Sequence, residues 1–220
     1  MINILKFKKE QGDKIFFFSD FHHSHAKLLE SRGFSTIKEH DEFIINGWNS
    51  VVDNESIVFY LGDLVLGAGD KGEEVFSNLL ETLNYKELFI MPGNHFSGYR
   101  QFFNKEWNFE DNCIDSFYRL EMTNLKRKVY FIPNYYEIFI GHAPIVLSHY
   151  PILSWNGQRA GSIFLHGHCH NSLHKTEWLE NNYYKGRVID VGYENIKKPI
   201  SFNELQEIIN KREIITFDHH

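Results

Sequence analysis

The stretch Ile15-Phe16-Phe17-Phe18-Ser19-Asp20-Phe21-His22 is a short, nearly continuous apolar run that ends abruptly in polar residues. An apolar run without alternation suits a strand buried on both faces, and the polar end suits a loop leaving the strand's carboxyl end. The same grammar returns at Ser56–Leu61 before Gly62-Asp63, and at Leu88–Met91 before Gly93-Asn94-His95. Helical spacing fills the gaps: a segment around Ala26–Arg32 closed by Gly33, then Asp41–Val52, then Glu73–Leu83. Strand, motif and helix repeated three times predict an α/β layer with functional groups at the carboxyl ends of the strands.

Beyond residue 128 the pattern changes to short β-type runs: Val129–Ile132, Tyr136–Ile140, Ile145–Ser148, Ser162–Leu165 and Val188–Val191. Turns such as Gly141-His142-Ala143-Pro144 separate them, predicting a second, more antiparallel sheet. Two further motifs fall here, Ser148-His149 and Gly167-His168-Cys169-His170. A C-terminal helix over about 201–210 is expected, with Ser201 as its cap. No linker composition or repeat divides the chain, so residues 1–220 are expected to form one domain, its motif-bearing core about 14–192.

Bulk properties bound the function. With 42% hydrophobic and 16% aromatic residues, the chain has the material for an ordinary buried core. A net charge of −6 gives no bulk hold on a nucleic-acid backbone. Cys113 and Cys169 are distant and have no metal or redox spacing, which predicts no disulfide framework and a cytoplasmic setting. Met1–Lys14 lacks a secretory pattern, and no run approaches the ~18 apolar residues of a membrane helix. Asp218-His219-His220 receives no function.

The motifs supply oxygen and imidazole donors without thiolate, a set that suits Mn²⁺, Fe, Ni²⁺ or Zn²⁺. In an extended segment, side chains i and i+2 share a face, so Asp20 with His22, and His168 with His170, each have the spacing to reach one ion. Asp63 stands alone and suits a bridge between two ions, while Asn94 offers a carbonyl oxygen and His149 an imidazole. His23, His40, His142, His166 and His174 read as non-ligands, Trp48 as core, and Asn49 as a polar residue able to face the site. The aromatic stretch Tyr99–Phe109 reads as packing rather than base stacking.

In order, Asp-x-His, Gly-Asp, Gly-Asn-His, a lone His after a strand and Gly-His-x-His resemble the calcineurin-like metallophosphoesterases, over residues 20–170. The resemblance implies a four-layer α-β-β-α sandwich of two mixed sheets, with two divalent metals, Mn²⁺ favoured, between them. It implies one metal held by Asp20, His22, Asp63 and His170, and the other by Asp63, Asn94, His149 and His168. Such a centre would activate water for in-line attack on phosphorus, with His95 protonating the leaving oxygen. A narrower likeness, to small single-domain phosphoesterases of bacteria and bacteriophages, is carried by Ser19–His25, Arg32, Phe34, Trp48-Asn49 and Ser148–Pro151. It implies a host-cytoplasmic setting if phage-encoded, and a place for His25 near the phosphate.

Two departures from the family pattern matter: Phe96 follows Gly-Asn-His where Asp or Glu is common, and Leu64 follows Gly-Asp where the protein phosphatases carry Asp-Arg-Gly. The expected activity is therefore phosphodiester hydrolysis on a small or nucleotide-type substrate. The alternatives are a phosphomonoesterase and a catalytically lapsed metal-binding module. Few cations near the motifs, only Arg32 and Arg100 among arginines close to the early ones, favour the less charged diester.

Overall fold

A computed structural model of the chain describes residues 4–66, 71–95, 118–120 and 127–217, with backbone alone at 118–120. In chain order the elements are β1 (Leu5–Phe7), β2 (Ile15–Phe18), α1 (Leu29–Arg32), α2 (Ile37–Asn49), β3 (Ile57–Tyr60), α3 (Gly72–Thr82), β4 (Glu87–Ile90), β5 (Tyr118–Leu120) and β6 (Lys128–Phe131). They continue with β7 (Tyr135–Ile140), β8 (Ala143–Ser148), β9 (Ile163–His166), α4 (Glu177–Asn181), β10 (Val188–Asp190), α5 (Tyr193–Ile196), β11 (Ile200–Ser201) and α6 (Phe202–Ile209). The fold is α/β, with two mixed sheets and helices.

The first sheet has the order β11-β2-β3-β4-β6-β5. Its four central strands run parallel, and antiparallel β11 and β5 close the edges. Strand alternation decides what each face meets. Phe16, Phe18, Val58, Tyr60, Leu88, Ile90, Val129 and Phe131 pack with Ile44 and Trp48 of α2 and Phe76, Leu79 and Leu80 of α3. The intervening residues, including Ile15, Phe17, Phe59 and Phe89, face the second sheet. Parallel register lines up Phe17, Phe59, Phe89 and Tyr130 across this inner face. Their rings stack with centroids 5.8, 4.8 and 4.7 Å apart. Each buried aromatic contributes roughly 1.5–3 kcal/mol of burial, so this row is a substantial part of what joins one sheet to the other.

The second sheet runs β1-β7-β8-β9-β10. Ile138, Ile140, Ile145, Leu147, Ile163, Leu165 and Ile189 point toward the first sheet, where Phe202, Leu205 and Ile209 of α6 join them. Val146, Phe164 and Val188 face outward under Trp155, Tyr183 and Tyr184. The layers are thus helices, sheet, sheet and a thin outer cover of short helical turns.

Three expectations need correction. Residues 129–132 do not open the second sheet: β6 pairs parallel with β4 and extends the first. The second sheet is not mainly antiparallel either, since only β7–β8 is a hairpin and β1–β7, β8–β9 and β9–β10 are parallel. Short runs look alike whichever neighbour they pair with, so the direction of pairing was invisible in composition. Helix α2 begins earlier than Asp41, because Thr36 caps it by accepting from the Glu39 amide.

Asn49 is the fourth correction. Its Nδ2 donates to Thr82 O at 3.0 Å and its Oδ1 accepts from Asn84 N at 2.8 Å. Those partners precede β4, at the edge opposite the motif loops, so Asn49 staples α2 to the α3–β4 turn and lies away from the motif loops. Trp48 is core, fully buried, with Nε1 donating to Asn84 O at 2.8 Å. Asn49→Ala is expected to lower unfolding stability by about 1–2 kcal/mol in a denaturant titration, the scale of two lost hydrogen bonds. Metal affinity should be unchanged, and a loss of affinity at unaltered stability would contradict this assignment.

Candidate metal centre

Both sheets deliver their loops to one edge. The loops continue the strand ladder after the strands end: Asp20 N donates to Gly62 O at 3.1 Å and His22 N to Asp63 O at 3.0 Å. From the second sheet, Gly167 N donates to His149 O at 3.1 Å. Asn134 ties the sheets together, its Oδ1 accepting from Gly93 N at 3.0 Å and its backbone oxygen from His149 N at 3.2 Å. Nothing but the Pro133-Asn134 turn signal marked Asn134 in the sequence.

Two groups of donors result, Asp20 with His22 and His170, and Asp63 with His149 and His168, the donor atoms within each lying within 4.8 Å of one another. Asp20, His22, Asp63 and His149 form a buried floor, and His168 and His170 are half-buried above it. Asp63 Oδ2 lies between the groups, 3.7 Å from His22 Nε2 and 3.6 Å from His149 Nε2. Its other oxygen accepts from His95 N at 2.7 Å. Asn94 Oδ1 sits 2.8 Å from both His149 Nε2 and His168 Nδ1.

The donors fit a cation. His22 Nε2 and His170 Nε2 are 3.1 Å apart, and Asp20 Oδ1 is buried 3.9 Å from His22 Nε2 with no hydrogen-bond partner among the described residues. Ligand bonds of about 2.0–2.2 Å place adjacent donors roughly 3–3.6 Å apart; the 3.1 Å edge falls in that range and the 3.9 Å edge lies just outside it. The tautomers agree: His149 Nδ1 donates to Leu61 O at 2.7 Å and His170 Nδ1 to Glu194 Oε1 at 2.8 Å, which leaves each Nε2 lone pair facing inward.

The electrostatics of Asp20, His22, His149 and His168 point the same way. Burial, with Asp63 and Asp190 adding and His170 opposing, pushes the Asp20 carboxyl up to about 8. Burial drives His22, His149 and His168 down, keeping them neutral. His170 is raised despite its burial, through the Glu194 hydrogen bond and the Asp20 charge. A carboxyl that resists ionising, as Asp20 does, beside neutral imidazoles such as His22, His149 and His168 is a donor set that gains from a positive ion.

The backbone reaches this arrangement through strain. Among described non-glycine residues with positive φ, all but Lys197 lie in or beside the motifs: Asp20 59°, His22 55°, Ser24 68°, Asp63 59°, His168 71°, His170 47° and Asn171 61°. Each costs about 1–2 kcal/mol that surrounding contacts must offset. The expectation that extended i, i+2 pairs each serve one ion is therefore corrected. Asp20 and His22 do share a group, but through left-handed turns, and the same turns send His168 and His170 to different groups. Gly93, φ 73°, is where another residue would collide, because a Cβ there would run into the Asp63 carboxylate.

Around the centre, His95 is exposed, with its ring 5.6 Å from that of His22. His25 is half-buried at the same distance from His22, and its Nδ1 has no hydrogen-bond partner among the described residues. His23 and His40 flank Asp41 in the scaffold, at 3.0 and 2.7 Å. His166 is fully buried beneath the second sheet's outer cover, bonded to Gly167 O and the Tyr184 hydroxyl. His174 stacks on Tyr184 there, and His142 is exposed in the β7–β8 turn. Arg100, Phe96, Cys113, residues 218–220 and the stretch Tyr99–Phe109 lie outside the described residues. Among those described, no helix is long and apolar enough to cross a membrane.

No family model matches the chain. The crystal structure of the protein of unknown function AQ665 from Aquifex aeolicus is similar in fold, with a TM-score of 0.58, 19% identity, and coverage of 88% of this chain and 98% of that one. The gene 66 proteins of Mycobacterium phages L5 and D29 are 23% and 24% identical, over 88% and 89% of this chain and 93% and 96% of theirs. The uncharacterized protein MJ1445 of Methanocaldococcus jannaschii is 30% identical over 205 residues, 92% of this chain and 94% of its own. At that identity over nearly the full length of both, the chain belongs to the family of the archaeal protein MJ1445.

Proposed function

We propose that the chain is a calcineurin-like metallophosphoesterase, most active on phosphodiesters of small or nucleotide type, in which two divalent metals, Mn²⁺ before Fe, Ni or Zn, occupy the paired donor groups. The observation that carries the reading is Asp63 Oδ2, equidistant within 0.1 Å from one histidine of each group (3.7 and 3.6 Å). One metal would be held by Asp20, His22, Asp63 and His170, and the other by Asp63, Asn94, His149 and His168. When bound, such ions supply Lewis acidity, acidifying water and neutralising charge on the phosphate.

The protein's own groups do the rest. The buried floor of Asp20 and Asp63 fixes the donors rigidly at one edge of both sheets, so the reacting phosphate meets preorganised charge. His95, exposed above that floor and tethered to it by its backbone bond to Asp63, protonates the departing oxygen as the phosphorus–oxygen bond breaks. His25, at the rim beside His22, is positioned to contact a phosphate oxygen.

Arg32 supports the diester preference. It is buried, and its nitrogens engage Asp20 O, Phe21 O, His40 Nε2 and Glu194, so it is not offered to a substrate. A monoester dianion needs more cationic help than a diester monoanion.

Bis-p-nitrophenyl phosphate should turn over when Mn²⁺ is added and stop turning over when the metal is chelated. Metal bound without turnover of this or any monoester would contradict the enzymatic reading and leave a binding module. His95→Ala should cost about 100–10,000-fold on an ester with a poor alkoxide leaving group, and far less on a nitrophenyl ester that departs without a proton. Equal losses on both would remove His95 from the role of acid.

A further inference from the structure

Glu194 belongs to no motif, yet the structure builds a support around it that serves only one of the two donor groups. Its Oε1 accepts from His170 Nδ1 at 2.8 Å and from Arg32 Nε and Nη2 at 2.8 and 2.7 Å. The Arg32 side chain is 1% exposed. Nη2 also donates to Asp20 O, and Nη1 to Phe21 O, both at 2.7 Å. One guanidinium therefore clamps the backbone of the Asp-x-His loop to the carboxylate that orients the ligand histidine 148 residues away from His22.

The clamp is itself held on a second side. Arginine only donates, so His40 Nε2, 2.8 Å from Nη1, must accept, which puts the His40 proton on Nδ1, 2.7 Å from Asp41 Oδ1. Asp41 Oδ2 then accepts from Ser24 N at 3.0 Å, pinning the far end of the same loop. Tyr193, under the guanidinium at 4.5 Å, donates its amide to Ser19 O at 3.1 Å, so α5 cannot shift independently of the loop.

The other group has a different support. His149 Nδ1 donates to a backbone carbonyl, Leu61 O, rather than to a carboxylate. A charged acceptor makes the stronger bond and the more basic ligand.

Building on the two-metal reading above, we propose that Glu194, clamped by Arg32, is a positioning residue for the Asp20–His22–His170 metal site alone, and sets the affinity of that site independently of its neighbour. The consequence is two unequal sites, the one with the carboxylate-supported histidine depending on Glu194 for its occupancy.

The test is calorimetric titration of the full chain with Mn²⁺ alone. Wild type should bind two ions. Glu194→Gln, the same size and still able to accept from His170, should weaken one step by about 10–100-fold and leave the other within about threefold. Glu194→Ala should weaken the same step further; should it fail to fold, the Gln variant carries the test. A double-mutant cycle locates the effect: Glu194→Gln should cost nothing more in a His170→Ala background, and its full penalty in a His168→Ala background. Two ions bound by wild type, with Glu194→Gln weakening both steps alike or neither, would overturn the role of Glu194 and leave the metal pair standing. Failure of wild type to bind two ions would overturn both.

Discussion

Two carboxylates, Asp20 and Asp63, are buried among imidazoles that come from both sheets: His22 from the first, and His149, His168 and His170 from the second. Ionised carboxylates in such surroundings are costly without a counter-charge, and Asp20 Oδ1 has no hydrogen-bond partner among the described residues to provide relief. The loops that present them pass through left-handed backbone at Asp20, His22 and Ser24 and at Asp63. A fold tolerates strain and desolvated charge in one spot only when strong packing surrounds it. Here the packing is the row of stacked aromatics between the sheets and the strands β2, β3 and β4, buried along all or nearly all of their length. The stability of the core and the instability of the edge are two sides of one design.

Much of this was legible in the residues because the signals were local. Continuous apolar runs ending at Asp20, Asp63 and Asn94 gave strands with functional carboxyl ends, and each strand appears within a residue or two of its expected place. Asp20, His22, Asp63, His149, His168 and His170 come together in two groups that divide His168 from His170. What the chain hid was non-local. The pairing directions of β6 and the second sheet depend on which strands meet, and no single run carries that information. The i, i+2 reasoning assumed extended backbone, whereas left-handed turns carry the donor residues. Asn49 had the polarity of a site residue but lay on the wrong end of a helix. Glu194 and Asn134 had no motif, since a buttress needs only a carboxylate or an amide somewhere that the fold brings near.

The relatives place these observations in a family without lending it a chemistry. An archaeal protein and two phage proteins share the chain nearly end to end, and a bacterial structure shares the fold. The functional reading therefore rests on the geometry of the centre itself: imidazoles turned inward by outer hydrogen bonds, a carboxylate oxygen facing both groups, and an exposed histidine tethered at the rim.

The most direct measurement is anomalous diffraction at the manganese edge from crystals grown with Mn²⁺. Two peaks about 3.5–4 Å apart, with Asp63 Oδ2 between them, are the expected result. A single peak, or two that do not share Asp63, would contradict the account at its centre.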